Sequence, residues 1–270
     1  MSGLRVLWIC SAAAVAAGCG STRLVLPDGP GTPYPGFERL FGAVVSECRS
    51  VRSVEALIRL SGRGGGAALR GRVRAGLAEP ASMRLEGLAP FGAPVFYLVA
   101  SPRDATLWLT REARVVTGVP APDLFASLTG IPFGPDDLRA VLTGCLVPDP
   151  RPIAGRRLGD WIVVDLAGGA VAWLRETEGE HHLVAGTRDG LTIEYGDFRR
   201  RLPRLVRVSS AAAGGGGEPL TDLTARLSQV SLNVTIGSEA FSLAVPADVA
   251  PATLEELRGA GPLEVPDEPT

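Results

Sequence analysis

The chain of 270 residues contains no lysine, only two histidines and few aromatic residues. All 27 basic side chains are therefore arginine, and they are balanced by 29 acidic ones, so the formal net charge is −2. This near-balance excludes the broad positive surface with which nucleic-acid-binding proteins attract phosphates. We attach no function to the missing lysine, which fits codon usage in a GC-rich genome. The 46% hydrophobic content excludes a wholly disordered chain.

The shortage of histidine also bears on catalysis. His181 and His182 are adjacent, and neighbouring residues of a strand point to opposite faces, so they cannot readily share a metal or one substrate. We expect both to be exposed strand residues. The chain has no H-E-x-x-H and no G-x-S-x-G motif, and an acid pair assembled by folding is the alternative that stays open. The sequence thus predicts a binding protein and not an enzyme, with no catalytic residue, metal or cofactor.

The 34 glycines and 22 prolines favour short strands and turns over long helices. Apolar alternation predicts about a dozen strands, and no βαβ rhythm appears, so the sheet should be antiparallel and strongly curved. The predicted helices are Pro35–Ser50, Ala121–Leu128, Gly134–Thr143 and Ala252–Arg258. The predicted strands include a hairpin starting near Val51, Ser82–Leu88, Pro94–Ala100, Ala105–Thr110, Ala113–Thr117, Trp161–Leu166, Ala170–Glu176, His181–Thr187, Leu191–Phe198, Arg204–Ser210, Leu223–Val234 and Phe241–Val245, with a loop at Val147–Pro152.

Arginines alternate with apolar residues along the predicted hairpin. Either these side chains only solvate the outer face of a sheet, which is the default for charged residues, or they meet a partner. The residues concerned are Arg59, Arg70, Arg72 and Arg74.

The N-terminus has Arg5, an apolar run from Val6 to Ala17, and small residues directly before Cys19. The run is too short to span the ~30 Å hydrocarbon core as a helix. This segment resembles a bacterial lipoprotein signal peptide with its lipobox. The resemblance implies removal of residues 1–18 and acylation of Cys19, and several acyl chains anchor a protein durably. Gly20 in place of aspartate favours sorting to the outer membrane.

We divide the chain accordingly into four parts. Residues 1–18 are the signal peptide, 19–35 are the lipidated cysteine and a flexible tether rich in Pro and Gly, 36–265 are a single domain, and 266–270 are a tail.

Two of the four cysteines remain for the folded domain, Cys48 and Cys145. In an oxidising periplasm such a pair favours a disulfide, and two separately buried thiols are the alternative.

The segment from Met83 to Gly144 has a characteristic order of motifs. An alternating strand is followed by the turn Pro90-Phe91-Gly92, two further strands, a short helix ending in L-T-G-I-P, and a second helix ending in L-T-G. Tyr195–Phe198 and Ser228–Phe241 continue the pattern. The chain here resembles the LolA–LolB superfamily of lipoprotein-localisation proteins, and within it the outer-membrane receptors of the LolB family.

The resemblance implies a mainly β (α+β) fold, in which a strongly curved, incompletely closed antiparallel sheet, or half-barrel, carries a helical lid over an apolar cavity. It also implies a monomeric, periplasmic, outer-membrane lipoprotein that binds acyl chains. The protein would take lipoproteins from a soluble LolA-like carrier and insert them into the membrane.

The resemblance and the apolar pattern also select candidate residues. Phe91, between Pro90 and Gly92, would project into the membrane, or else fold back onto Val95 or Phe96. The candidates for the cavity wall and lid are Leu88, Phe96, Trp108, Leu124, Phe125, Leu128, Leu138, Val141 and Leu142. Two other functions stay open: a lipid-binding or envelope-stress-sensing lipoprotein of the same fold, and a structural envelope protein whose cavity its own side chains fill.

Overall fold

Antiparallel strands form most of the structure, a computed structural model that describes residues 23–89, 91, 93–211 and 219–259. In this part of the chain fifteen strands belong to one sheet. They are β1 (Thr32–Pro33), β2 (Ser53–Gly64), β3 (Ala67–Ala78), β4 (Ser82–Leu88), β5 (Phe96–Ala100), β6 (Ala105–Leu109), β7 (Arg114–Val119), β8 (Pro152–Leu158), β9 (Trp161–Leu166), β10 (Val171–Thr177), β11 (Glu180–Arg188), β12 (Leu191–Gly196), β13 (Leu205–Ser210), β14 (Asp222–Leu232) and β15 (Ala250–Pro251).

Two runs of consecutive strands build this sheet. Strands β2 to β7 pair in chain order, and so do β8 to β14. The runs are joined because β14 pairs with β2 along most of its length. Every pairing is antiparallel except that of β15 with β7. The sheet ends at β1 on one side and at β15 on the other, so it is open in the described residues.

The sheet is strongly curved, as its core shows. Leu85 on β4 and Ile162 on β9 belong to one hydrophobic cluster, together with Phe41 and Leu142 from helices. In the sheet, β9 and β4 are eight strand positions apart, which in a flat sheet would be about 38 Å at ~4.8 Å per strand. One core can contain both only if the sheet bends around it.

Alternation along each strand separates an inner face from an outer face. On β4, Met83 and Leu85 are buried while Arg84 and Glu86 are partly exposed. The same period of two places valines, leucines and alanines of β2, β3 and β14 inside and arginines outside.

Helices α1 (Phe37–Val44), α2 (Ser46–Arg49), α3 (Ala121–Thr129) and α4 (Pro135–Thr143) contribute to the inner core, and α5 (Leu254–Gly259) packs against α3. Prolines at the first turn start α3 and α4, where a missing N–H costs nothing. Gly130 and Gly144 end them in the left-handed conformation, at φ 73° and φ 87°.

The structure differs from several sequence-based expectations. The predicted loop Val147–Pro152 is confirmed as far as Arg151, but strand β8, which begins at Pro152, was not predicted because its arginines and glycine give no apolar alternation. The predicted strand Phe241–Val245 is irregular chain after a 3₁₀ turn, Ser238–Phe241. The predicted helix Pro35–Ser50 is two helices, since the helical conformation is interrupted at Val45.

The expected flexible tether is wrong for residues 23–35. Arg23 forms an ion pair with Asp222 at 2.7 Å, and the amide of Leu24 donates to Glu194. The indole of Trp173 then donates to the carbonyl of Pro27, and β1 pairs with β8. This segment therefore runs from β14 to β8 in contact with the sheet. Residues 1–22 lie outside the described part.

Candidate functional site

An apolar cavity of ≈ 130 Å³ lies between the inner face of the sheet and the helices α3 and α4. Strands β2, β3, β4, β5 and β14 form its floor, and the two helices cover it. Arg70, Gly71 and Thr129 complete a lining that is otherwise made of Ile58, Leu60, Leu69, Val73, Leu85, Phe96, Leu98, Phe125, Leu128, Leu138, Leu142 and Ala225. Its chemistry suits hydrocarbon, since almost no polar group faces it.

Five of the residues selected from the sequence line this cavity: Phe96, Phe125, Leu128, Leu138 and Leu142. The inner-face residues of β2, β3 and β14 were missed individually. Their alternation was visible in the sequence, but the strand pairing that brings them under α3 and α4 was not.

Leu124 and Val141 were also selected, but they do not line the cavity. Both are buried in the surrounding core, at 0% and 1% exposure. The cavity lies against the C-terminal half of α3, whereas Leu124 is in the N-terminal half. On α4, Leu138 and Leu142 are four residues apart and share a face, and Val141 is rotated away from it.

Leu88 and Trp108 lie on the outer face of the sheet, so their prediction as cavity residues is wrong. Leu88 lies two and four residues after Glu86 and Arg84 on β4, so it shares their face of the sheet, and it lines an outer groove with them. Trp108 stands between buried Leu107 and Leu109, and its ring stacks on Tyr97 with centroids 5.5 Å apart. Alternation divides a strand into two faces, but β4 and β6 both carry apolar residues on each face. The pattern therefore did not show which face points inward.

Phe91 lies in the connection between β4 and β5 and its side chain is 87% exposed. It therefore does not fold back onto Val95 or Phe96, which are buried. The neighbouring Pro90 and Gly92, and the lipidation candidate Cys19, lie outside the described residues.

Helix α4 is fastened to the body of the protein at both ends. A disulfide joins Cys48 of α2 to Cys145, which follows α4, with Cα atoms 5.6 Å apart. Near its start, Asp137 accepts a hydrogen bond from the guanidinium of Arg188 at 2.8 Å, and this largely buried arginine also donates to the carbonyl of Leu146. Such a helix is a fixed wall of the cavity.

Helix α3 is held by lighter contacts. The Thr221 hydroxyl donates to the carbonyl of Thr129 at 3.2 Å, and α5 packs on the helix with Leu257 buried. The segment carrying α5 is attached by the short β15 and by an ion pair of 2.8 Å between Glu256 and Arg114. Of the two covering helices, α4 is thus the one that a disulfide and a largely buried ion pair hold in place.

A second groove, of ≈ 280 Å³, lies on the outer face beside the 3₁₀ turn. Four charged groups line it: Glu86 binds Arg84 at 2.7 Å and Arg74 at 3.0 Å, and Glu55 lies beside them. A groove with charged walls is unsuited to an acyl chain.

The buried titratable groups belong to the core. His182 is buried, not exposed as expected, because its ring stacks on Phe198 with centroids 4.3 Å apart. Burial lowers its pKa. Burial also raises the pKa of Tyr195. In the described ranges, no group of three His, Cys, Asp or Glu side chains could hold a metal, and no helix is long and apolar enough to cross a membrane.

Comparison with solved structures gives distant likenesses of the whole fold. A LolA superfamily protein from Nitrosomonas europaea is 11% identical, with a TM-score of 0.47, over 74% of this chain and 96% of that one. The chain is similar to LolA-superfamily proteins. A DUF1329 family protein from Desulfovibrio piger is 12% identical, with a TM-score of 0.48, over 78% and 98% of the two chains. LprF from Mycobacterium bovis is 11% identical, with a TM-score of 0.33, over 82% and 100%. No protein-family model and no curated protein matches the chain.

Proposed function

We propose that this protein is a periplasmic lipoprotein, anchored in the outer membrane, that binds acyl chains and inserts lipoproteins into that membrane. The observation that carries the proposal is the apolar cavity under α3 and α4. An acyl chain cannot cross water unprotected, because at ~0.8 kcal/mol per CH₂ one long chain costs on the order of 10 kcal/mol when exposed. The cavity offers a shelter of the right chemistry.

The size of the cavity implies motion on loading. Pockets for molecules of drug size occupy about 300–1,000 Å³, whereas this one has ≈ 130 Å³. A long acyl chain enters only if a covering helix moves outward. Helix α3 is the candidate because α4 is held by the disulfide and by Arg188. The structure then corresponds to a closed state.

Phe91 is the proposed residue of membrane insertion. Leaving a phenylalanine side chain in water costs roughly 1.5–3 kcal/mol, and Phe91 is 87% exposed. Insertion of this ring into the inner leaflet would recover that cost and bring the cavity close to the bilayer. In this proposal Cys19 carries the permanent anchor and a soluble LolA-like carrier delivers the cargo to the monomeric receptor.

The proposal is tested in the native host by depletion and complementation. Depletion should make other lipoproteins accumulate in the periplasm, and the wild-type chain should reverse this. Phe91→Glu should fold and bind a fluorescent fatty acid but fail to complement. Ile153→Glu is the matched control, because Ile153 is also an exposed apolar residue, at 65%, on β8 near the far edge of the sheet. Full complementation by Phe91→Glu would refute the role of this residue, and normal lipoprotein sorting after depletion would refute the function.

The small volume also favours a second candidate, a structural envelope protein whose side chains fill the sheet. This alternative predicts that no fluorescent fatty acid binds at any concentration that saturates a carrier of acyl chains. Native mass spectrometry separates the remaining possibilities, since a glycolipid bound in place of lipoprotein acyl chains would indicate a lipid-binding or sensing protein.

A further inference from the structure

Three arginines stand side by side on the outer face of the sheet. The register pairs Arg226 of β14 with Arg59 of β2, and Arg59 with Arg72 of β3. Side chains directly opposite each other have Cβ atoms about 4.5–5.5 Å apart, and like charges at that distance repel. Among the described residues, Arg59 and Arg72 have no hydrogen-bond or ion-pair partner. Repulsion between these guanidinium groups is unfavourable in the isolated protein, and a bound anion would relieve it.

The surrounding face carries more arginines than carboxylates, although the whole chain has a net charge of −2. The outward positions of β14, β2 and β3 carry two carboxylates, Asp222 and Glu55. They carry six arginines: Arg59, Arg63, Arg70, Arg72, Arg74 and Arg226. Arg74 is paired with Glu86 and Arg226 with Asp197, so Arg59 and Arg72 are the residues that favour an anion.

These arginines approach the end of the sheet that carries the exposed apolar residues. Arg72 pairs with Leu88, three residues before Phe91, which places the row about 10 Å from the level of Phe91 at ~3.3 Å per residue. The carbonyl of Leu220 accepts a hydrogen bond from the amide of Gly66, so Leu220 lies at the tip of the β2–β3 hairpin at this same end. Its side chain is 61% exposed.

The described part of the N-terminal segment begins at this end as well. Arg23 is bound to Asp222, the first residue of β14, which pairs with Arg63. Cys19 precedes Arg23 by four residues, which span at most about 14 Å. If Cys19 is acylated, as the proposed function assumes, this end of the sheet is held against the membrane.

We propose that the arginine face of β14, β2 and β3 docks on the headgroups of anionic phospholipids. Phe91 and Leu220 then enter the boundary of the hydrocarbon, and the long arginine side chains reach the headgroup layer that lies outside it. The face fixes the orientation of the receptor, which a lipid anchor alone leaves free. This inference depends on the proposed anchoring, but not on acyl binding in the cavity.

The test uses the mature chain, which begins at residue 19, with Cys19→Ala, so that it has neither the signal peptide nor an acyl anchor, and measures its binding to sedimented vesicles. Vesicles containing phosphatidylglycerol should bind it, and binding should weaken with salt, whereas pure phosphatidylcholine vesicles should bind it poorly. The double variant R59Q/R72Q should weaken binding to the anionic vesicles by about 5-fold for each arginine removed. The control R39Q/R49Q changes the net charge equally at exposed residues of α1 and α2, which belong to the inner side, and should change binding little.

Each outcome decides the proposal. Equal loss in both double variants, or equal binding to both kinds of vesicle, would overturn it. The proposal would also be overturned if the protein bound a soluble acidic protein through Arg59 but did not bind vesicles. That result would assign the face to a protein partner. Binding of a fluorescent fatty acid is measured on the same variants and should be unchanged. If fatty-acid binding persists while vesicle binding fails, only the docking surface is refuted.

Discussion

Filling the cavity should stabilise the protein and weaken ligand binding at the same time. Ala225 lines the cavity from β14, and Ala225→Leu adds three carbons to it. At ~0.8 kcal/mol per buried CH₂, the gain in the free energy of unfolding is about 2 kcal/mol at most. The cavity has room for the added carbons, since its volume is ≈ 130 Å³.

The same carbons occupy space that the ligand needs. If three methylenes of an acyl chain lose their place, the affinity for a fluorescent fatty acid should fall by about 50-fold at ~0.8 kcal/mol per CH₂. Urea unfolding measures the first effect and probe titration the second. Ala172→Leu is the matched control, because Ala172 is 0% exposed in the core away from the cavity. In that variant the free energy of unfolding should fall by about 1–3 kcal/mol through overpacking. The affinity of its folded state for the fluorescent fatty acid should be unchanged.

Two results would refute this reasoning. Destabilisation of Ala225→Leu would show that the space is not available to a side chain. Stabilisation with unchanged probe affinity would show that acyl chains bind elsewhere.

Three further predictions concern the contacts that hold the site. Replacing Cys48 and Cys145 by serine should lower the free energy of unfolding by about 2–5 kcal/mol, since the bond closes a loop between residues 97 apart; urea unfolding with no change would contradict the role given to it. Arg188→Met should cost about 1.5–3 kcal/mol, because it leaves Asp137 and the Leu146 carbonyl without their donor, and hydrogen exchange should locate the loss at α4 and not at β4. The hydrogen bond from Arg207, assisted by Arg23, holds the pKa of Asp222 below its ordinary value. The ionised Asp222 carboxylate therefore stabilises the folded protein fully above the unfolded pKa, about 3.9, and this stabilisation is lost as the pH falls further. Asp222→Asn should release residues 23–27 to proteolysis at neutral pH, whereas Glu255→Gln, an exposed carboxylate on α5, should not.

Local pattern predicted much of the fold. The strand Ser82–Leu88 has the bounds expected from its alternation, and α4 begins and ends where Pro135 and Gly144 indicate. These features depend on a few neighbouring residues, which is why they can be read from sequence. The open, curved antiparallel sheet with helices over its inner face agrees with the expected fold class.

Features that depend on distant contacts could not be predicted in this way. The arginine-rich β8 is a strand because β9 and β1 pair with it. Residues 23–35 are docked because Asp222 and Glu194, far along the chain, bind their start. His182 is buried because Phe198 covers it. Trp108 and Leu88 were assigned to the wrong face because apolar side chains stand on both faces of this part of the sheet.

The location of bound acyl chains tests the central claim most directly. A photoactivatable fatty acid would be bound to the purified protein and cross-linked, and the labelled peptides mapped by mass spectrometry. We predict labels on β5 near Phe96 and Leu98 and on α3 near Phe125 and Leu128, reduced in Ala225→Leu. Labels confined to the outer face around Trp108 and Leu88, or no saturable labelling, would contradict an acyl-binding cavity beneath α3 and α4.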